Sequence, residues 1–271
     1  MKLRKLPILL LLALAILSVL AICLRSYYTT SNPRNAATVG AIPPPRGYER
    51  VPVPQGSYGA YLRSLPLQPK GSKLHLYSGQ VAKRQILSAA IVEQPLLGKN
   101  EQCADVAMRL HDEYLWLQRD YENITHTDVC GNRRTYLGGD SRADFEKYLM
   151  GVFEWCNTRS LYEETDSIAF MEAMPGDVLV HLTRPGDRYG HAVVVADVAR
   201  NRRGDIAILC IEGNTPARQK HVVRNLNPIR NPWHIIRPGT HTIRFIKSRF
   251  YPGEMRRIGT SQLSIQHNIT L

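Results

Sequence analysis

The sequence predicts an α+β fold in which a helix that carries a cysteine packs on an antiparallel β meander. Two observations support this prediction: an amphipathic helical pattern begins near residue 100, and three strand patterns joined by short turns lie between residues 174 and 214. Strands that follow one another through short turns pair antiparallel. The 271 residues, of which 44% are hydrophobic, are sufficient for one such core.

The N-terminal segment differs from the rest of the chain, because basic residues precede an uncharged run from Leu6 to Leu24. This length approaches what a helix needs to span a bilayer, and basic residues mark the cytoplasmic end of such spans. We therefore expect an uncleaved transmembrane anchor over residues 1–24. It would tether the remaining chain on the periplasmic side of a bacterial cell envelope. Lipidation at Cys23 is an alternative, although Ile22 stands where that signal has a small residue.

Three further segments follow the predicted anchor. Residues 25–45 include the run "IPPP" and are expected to form an extended tether. Residues 46–258 are expected to form the folded domain, and residues 259–271 a C-terminal tail. At the start of the domain, "YERVPVP" and "SYGAYLRSLPLQP" fit strand and turn pieces separated by prolines.

The chain is strongly basic, with a net charge of +12 and an isoelectric point of about 9.7. Its basic residues are spread along the sequence, and no nucleic-acid-binding motif accompanies them. We therefore expect no nucleic-acid partner. Anionic polymers of the cell envelope are a more suitable partner for such a surface, and a solvated basic surface without a partner is the alternative.

The helix that carries the cysteine is expected to begin after Asn100, which is a good N-cap residue. Apolar residues recur at helical spacing from Cys103 to Leu117, and charged residues occupy other positions. Cys103 therefore lies in the first turn. A second helix is expected from about Ser141 to Asn157.

The region from Met174 to Asn214 carries the strongest strand pattern. Its three strand segments are "PGDVLVHL", "HAVVVADVA" and "IAILCIE". Depending on where the second turn is centred, His191 lies opposite Glu212 or Asn214 of the next strand. Side chains two residues apart share a face, so both polar residues can lie near the imidazole.

Cys103, His191 and Glu212 or Asn214 thus form a candidate catalytic set. A thiolate near a helix N-terminus is stabilised by the helix dipole and by unpaired N–H groups, which can also bind an oxyanion. His191 would take the thiol proton and later protonate the leaving amine. Glu212 or Asn214 would fix the tautomer of His191.

These segments resemble the papain-like CHAP and NlpC-type cysteine amidohydrolases and peptidases. The motifs that carry the resemblance are "QCADVAMRL", "MPGDVLVH", "GHAVVVADV" and "IEGN". The resemblance implies a papain-like core with Cys103 as nucleophile, His191 as base and Glu212 as orienting residue. Asn214 would have a supporting polar role, and Gln102 matches the glutamine before the CHAP cysteine, which makes it a candidate for substrate binding. The implied reaction is cleavage of amide bonds in peptidoglycan peptides or a related amide.

Residues 46–255 also resemble a family of exported bacterial domains of unknown function that share "QCAD-x2-MRL-x2-EYL" and the "GDV…GHAV" meander. The chain departs from the hydrolases through a long insertion between Cys103 and His191, and through "ADVAM" where a Trp or Gly pattern usually follows the cysteine. A non-catalytic envelope protein that uses the same fold for binding or scaffolding is therefore the alternative function.

Other interpretations of the cysteines and charged residues stay open. A Cys103–Cys210 disulfide would remove the nucleophile, and Cys130 and Cys156 would be the other natural pair. Arg109 is a second candidate for substrate binding, since a guanidinium binds a carboxylate through two hydrogen bonds, with a structural ion pair as the alternative. We expect no metal or cofactor, because neither zinc-type cysteine spacing nor a His-Glu-x-x-His pattern is present.

Overall fold

The computed structural model describes residues 5–28, 32–227, 229 and 231–259, with side chains in the first helix described for residues 8–21. The helices are α1 (Lys5–Tyr28), α2 (Tyr58–Ser64), α3 (Cys103–Leu117), α4 (Arg142–Trp155) and α5 (Thr158–Glu163). The strands are β1 (Tyr48–Arg50), β2 (Ser88–Ile91), β3 (Thr125–Thr127), β4 (Arg133–Thr135), β5 (Thr165–Ser167), β6 (Val178–His181), β7 (His191–Asn201), β8 (Ile206–Glu212), β9 (His221–Val223), β10 (His234–Ile236), β11 (Ile243–Arg244), β12 (Arg249–Phe250) and β13 (Met255–Ile258).

A nine-stranded sheet organises the domain. Its main path runs β2-β9-β8-β7-β6-β13-β5, with β1 also paired to β7 and β10 to β8. The consecutive strands β6, β7 and β8 pair antiparallel, as do the other paired strands of this sheet. The predicted α+β class and the predicted meander are therefore confirmed.

The two faces of the central strands belong to different cores, because successive side chains of a strand point to opposite faces. Ala192 and Val194 of β7 pack in the cluster that contains Val106 and Ala107 of α3. Val193 of β7 instead packs in a second cluster, together with residues of the C-terminal strands. Each fully buried Val, Leu or Ile side chain contributes roughly 1.5–3 kcal/mol, so this packing fixes α3 on one face of the sheet.

The predicted tether of residues 25–45 is wrong from Asn32 onwards. Asn32 is buried, and its side-chain amide donates to the backbone carbonyl of Gln68 at 2.8 Å. Val39 and Ile42 belong to the main hydrophobic core. The folded domain therefore begins upstream of its predicted start. The predicted tail lies outside the described residues after its first position.

The segment "SYGAYLRSLPLQP" forms α2 rather than strand and turn pieces. Ser57 caps this helix, since its side-chain oxygen accepts the backbone N–H of Ala60 at 3.3 Å. Pro54 and Pro66 lie outside the helix, one before it and one after it, so neither interrupts it. Leu62 of α2 is fully buried, and this tertiary packing decides the structure of the segment.

The predicted membrane anchor falls on α1. Within the part of the chain that the structure describes, no helix has the length and apolar character that crossing a membrane requires. The predicted transmembrane helix is therefore not confirmed. The side chain of Cys23, the alternative lipidation site, lies outside the described residues.

Candidate active site

Cys103 is the first residue of α3 and is only 7% exposed. The N-cap is Gln102 rather than the predicted Asn100, since the backbone N–H of Gln102 donates to the Asp105 carboxylate at 2.8 Å. The backbone N–H of Val106 donates to the carbonyl of Gln102 at 3.1 Å and closes the first turn. The earlier N–H groups of a helix have no acceptor within it, so the thiol lies in a region of positive potential.

The pairing of β7 with β8 brings His191 and Glu212 together. A bulge within the hairpin shifts the register, and beyond it Val194 pairs with Ile211. Continued to the ends of the strands, this register places His191 opposite Asn214, which is one of the two predicted pairings. Glu212 lies diagonally across, with its Oε2 atom 2.9 Å from Nε2 of His191.

The thiol of Cys103 completes this arrangement through a hydrogen bond to His191. Because Glu212 is bonded to Nε2, the ring nitrogen left to face the sulfur is Nδ1. The sulfur also accepts hydrogen bonds from the backbone N–H groups of Ala104 and Ala192. Donors from α3, from β7 and from the imidazole therefore converge on one sulfur atom, which is an arrangement that stabilises a thiolate.

The pKa shifts of the three groups favour a thiolate–imidazolium pair. Burial raises the pKa of Cys103, but the hydrogen bond and charge of His191 together with the backbone donors bring it below its ordinary value. Burial lowers the pKa of His191, but its bonds to Cys103 and Glu212 raise it overall to about 10. Burial would also raise the pKa of Glu212, but His191 and His221 lower it well below the usual range.

Two residues that the sequence did not indicate join this network. The fully buried His221 on β9 places its Nε2 atom 3.2 Å from Oε1 of Glu212. Lys247, between β11 and β12, donates to Oδ1 of Asn214 at 2.7 Å. Asn214 in turn donates to Glu212 at 3.4 Å, so it contacts the carboxylate rather than the imidazole. Both missed residues follow the predicted meander, in segments that no motif marked.

A cavity of about 640 Å³ opens beside Cys103, and Gln102 lies on its wall. The hydroxyl of Thr215 donates to Oε1 of Gln102 at 2.5 Å. Because this acceptor is occupied, the side-chain NH₂ group of Gln102 is left as a donor. Together with the first N–H groups of α3 it can stabilise the oxyanion that develops on a carbonyl oxygen when the sulfur attacks the carbonyl carbon. The predicted insertion supplies further lining residues, namely Thr158, Arg159 and Tyr162 of α5.

Arg109 does not line this cavity. It is 1% exposed, with Nη1 2.7 Å from Glu101 and Nε 3.2 Å from Glu113. Glu101 also binds the buried Lys220 and accepts the backbone N–H of Leu97. This buried ion-pair cluster fixes the loop before α3. The ion-pair alternative therefore replaces the substrate-binding prediction for Arg109.

The described thiols beyond α1 are Cys103, Cys130, Cys156 and Cys210, and all four are free. The predicted alternative of a Cys103–Cys210 disulfide is not formed, because Cys210 belongs to the core on the sheet face opposite α3. Burial raises the pKa of Cys156 to about 12 and raises that of Cys210 strongly. Within the described residues, no group of three or more His, Cys, Asp and Glu side chains could hold a metal ion.

Gly213 lies where the end of β8 meets α3. A Cβ atom there would be 2.6 Å from Cγ2 of Val106 and 2.7 Å from the carbonyl oxygen of Gln102. We expect Gly213→Ala to lower the free energy of unfolding by about 1–3 kcal/mol, as measured by urea denaturation. Gly151→Ala in α4 is the control, since a Cβ there meets nothing within 4 Å and alanine favours a helix by about 0.5–1 kcal/mol. Equal stability of the Gly213 variant and the wild type would contradict this close approach.

Comparison with known proteins places these residues in one family. A family model described as a domain of unknown function (4846) matches residues 39–140 and 137–257. These ranges cover most of the chain and include Cys103, His191 and Glu212. No match was found among curated proteins, and none among solved structures. The chain therefore belongs to the family described as domain of unknown function 4846.

Proposed function

We propose that the protein is a papain-like cysteine hydrolase that cleaves an amide bond in peptidoglycan peptides or a related amide. The observation that carries the proposal is the hydrogen-bonded set of Cys103, His191 and Glu212 beside an open cavity. A structural cysteine needs no imidazole, whereas a nucleophile needs a base within hydrogen-bond reach and a third group that orients the base.

In the proposed reaction, the thiolate of Cys103 attacks the carbonyl carbon of the amide. The carbonyl oxygen becomes an oxyanion that accepts hydrogen bonds from Gln102 and the start of α3. The imidazolium of His191 gives its proton to the leaving nitrogen, the C–N bond breaks, and a thioester remains. His191 then takes a proton from water, the resulting hydroxide attacks the thioester, and the carboxylic acid leaves as the C–S bond breaks.

The proposed place of action is the periplasmic side of the cell envelope, with the N-terminal segment in the membrane. The uncharged run from Leu6 to Leu24 and the basic residues before it support this location. Anionic envelope polymers are proposed partners for the basic surface. Their attraction would concentrate the enzyme near its substrate.

The chemical test is the pH dependence of alkylation of each cysteine in the full chain by iodoacetamide, followed by peptide mass spectrometry. We expect the reaction of Cys103 to titrate below ~8.5, the ordinary pKa of a thiol, because His191 and the backbone donors lower its pKa. His191→Ala should move this profile to higher pH. Cys156 should stay unreactive, since burial raises its pKa to about 12.

The reference for this measurement is the same cysteine in the unfolded chain. If Cys103 in the folded wild-type protein titrated at or above its value in the unfolded chain, the thiolate–imidazolium pair would be absent. That result would contradict the proposed hydrolase and favour a non-catalytic binding or scaffold protein.

A further inference from the structure

Arg218 and Lys247 lie on the Glu212 side of the candidate active site, and Arg84 lies close enough to act electrostatically on both of them. The side chain of Arg218 is only 6% exposed, and its Nε atom has no hydrogen-bond partner. Within the described part of the chain, no carboxylate forms an ion pair with it. Arg218 follows Thr215, the residue that holds Gln102 at the cavity, by three positions.

This lack of a partner sets Arg218 apart from the other buried arginines that the structure describes. Arg109 pairs with two glutamates. Arg224 donates to the backbone carbonyl of Ser88 at 2.9 Å, and Arg256 donates to the side chain of Thr165 at 2.9 Å. A buried guanidinium without an anion lowers the stability of the folded protein. Destabilising groups of this kind are typical of ligand-binding sites.

Lys247 connects the cation group to the catalytic residues. It donates to Asn214 at 2.7 Å, and Asn214 donates to Glu212 at 3.4 Å. Burial and the charge of Arg218 lower the pKa of Lys247, while Glu212 and Cys103 raise it. Lys247 therefore lies within electrostatic range of the reacting sulfur, and Arg218 lies within range of Lys247.

Glu212 does not neutralise this group. It is the carboxylate that acts on both Arg218 and Lys247, but His191 and His221 already occupy its two oxygens. A positive charge beside the catalytic set is thus left without a matching anion among the described residues. An anion supplied by the substrate would balance it.

We propose that Arg84, Arg218 and Lys247 form a subsite for a carboxylate of the substrate, next to the scissile amide. This inference rests on the proposed function in one respect only, namely that the sulfur of Cys103 is the reacting atom. The planar guanidinium of Arg218 suits a carboxylate, which it can bind through two hydrogen bonds. The three cations are not among the residues that line the 640 Å³ cavity. The substrate therefore lies across Cys103, with one part in the cavity and its carboxylate on the cations.

The test compares two alkylating reagents of nearly equal size, iodoacetate and iodoacetamide, on Cys103 of the full chain. In both reactions the sulfur forms a bond to the CH₂ carbon and iodide leaves with the electron pair of the C–I bond. We expect Arg218→Gln to lower the iodoacetate-to-iodoacetamide rate ratio by about tenfold. Lys247→Gln should also lower this rate ratio, and Arg218→Lys should keep the ratio close to that of the wild type.

Arg134→Gln is the matched control, because Arg134 is a cation paired with Asp128 at 2.9 Å that does not line the cavity beside Cys103. Its ratio should equal that of the wild type. The unfolding midpoint of Arg218→Gln should be equal to or above that of the wild type, since the substitution removes a buried charge without a partner. Lys247 is exposed, so Lys247→Gln tests the subsite even if the Arg218 variant does not fold.

A second measurement needs no reactive cysteine. Glutarate should raise the unfolding midpoint of the wild type more than chloride does at equal ionic strength, and Arg218→Gln should remove the difference. Unchanged alkylation ratios in both variants, or no specific effect of glutarate, would overturn the subsite and leave the hydrolase proposal intact. A Cys103 that reacts with neither reagent would instead contradict the hydrolase, while the glutarate measurement still decides the subsite.

Discussion

Replacing Cys103 by alanine is expected to reduce hydrolysis of soluble peptidoglycan peptides by at least about 10³- to 10⁴-fold in kcat/KM. The substitution removes the proposed nucleophile, and the proposed oxyanion donors alone would supply only residual catalysis. The measurement is the release of the amine product, followed by mass spectrometry. The unfolding midpoint should change little, because alanine keeps the helix start and the position of Gln102.

Cys156→Ala provides the matched control for this loss. Cys156 lines the same cavity and is also buried, but burial raises its pKa to about 12. Its replacement should leave kcat/KM within a few-fold of the wild type. Normal hydrolysis by the Cys103 variant would refute the nucleophile, whereas equal losses in both variants would indicate damage to the cavity rather than to the chemistry.

The helix and the meander could be predicted because the apolar residues of each segment are the residues that the fold buries. Residues at helical spacing in α3 face the sheet, and the residues of β7 and β8 are almost continuously buried. The register remained ambiguous, since a bulge between Val195 and Asp197 shifts the pairing within the hairpin. No local pattern marks that bulge, so the sequence left His191 with two possible partners.

The remaining differences arise from contacts between distant parts of the chain. His221 and Lys247 approach Glu212 and Asn214 only after β9 and the loop beyond β11 are in place. Arg109 is similar: its position in the sequence does not reveal that Glu101 and Glu113 surround it. Pairing of charges in three dimensions separates a binding arginine from a structural one.

The insertion between the cysteine and the histidine supplies part of the site. His126 connects the insertion to α3. Its Nδ1 atom lies 2.8 Å from Glu164, which follows α5, and its Nε2 atom lies 3.1 Å from Asp112 of α3. Although burial would lower the pKa of His126, these two carboxylates raise it to about 10, so it is an imidazolium held between two anions. The insertion therefore holds α5 against the cavity beside Cys103. The insertion thus forms one wall of this cavity.

Replacing Glu212 by glutamine is expected to reduce kcat/KM by about 10²- to 10⁴-fold. Glutamine keeps the shape of the side chain but removes the charge that raises the pKa of His191. The imidazolium then loses its proton at lower pH, and the pKa of Cys103 rises towards that of an ordinary thiol. The pH profile of Cys103 alkylation should therefore shift upwards together with the loss of hydrolysis.

The pH dependence of stability separates this electrostatic role from simple packing. The pKa of Glu212 is lowered in the folded protein, so its charge stabilises the fold above about 4.3, its ordinary pKa, and this contribution is lost as the pH falls further. The pKa of His191 is raised to about 10 in the folded protein. Its contribution to stability is therefore complete below ~6.5, its ordinary pKa, and is lost as the pH rises from there towards about 10. The gap in unfolding free energy between wild type and Glu212→Gln should thus be widest between these limits.

Glu163→Gln is the control for Glu212→Gln, because Glu163 is a carboxylate on the cavity wall that does not contact the imidazole and pairs with Arg159 instead. It should leave the alkylation profile of Cys103 and the pH dependence of stability unchanged. An alkylation profile that is also unchanged in Glu212→Gln would show that the carboxylate only packs against His191. In that case the hydrogen bonds from Ala104 and Ala192 would have to stabilise the thiolate without the charge of Glu212.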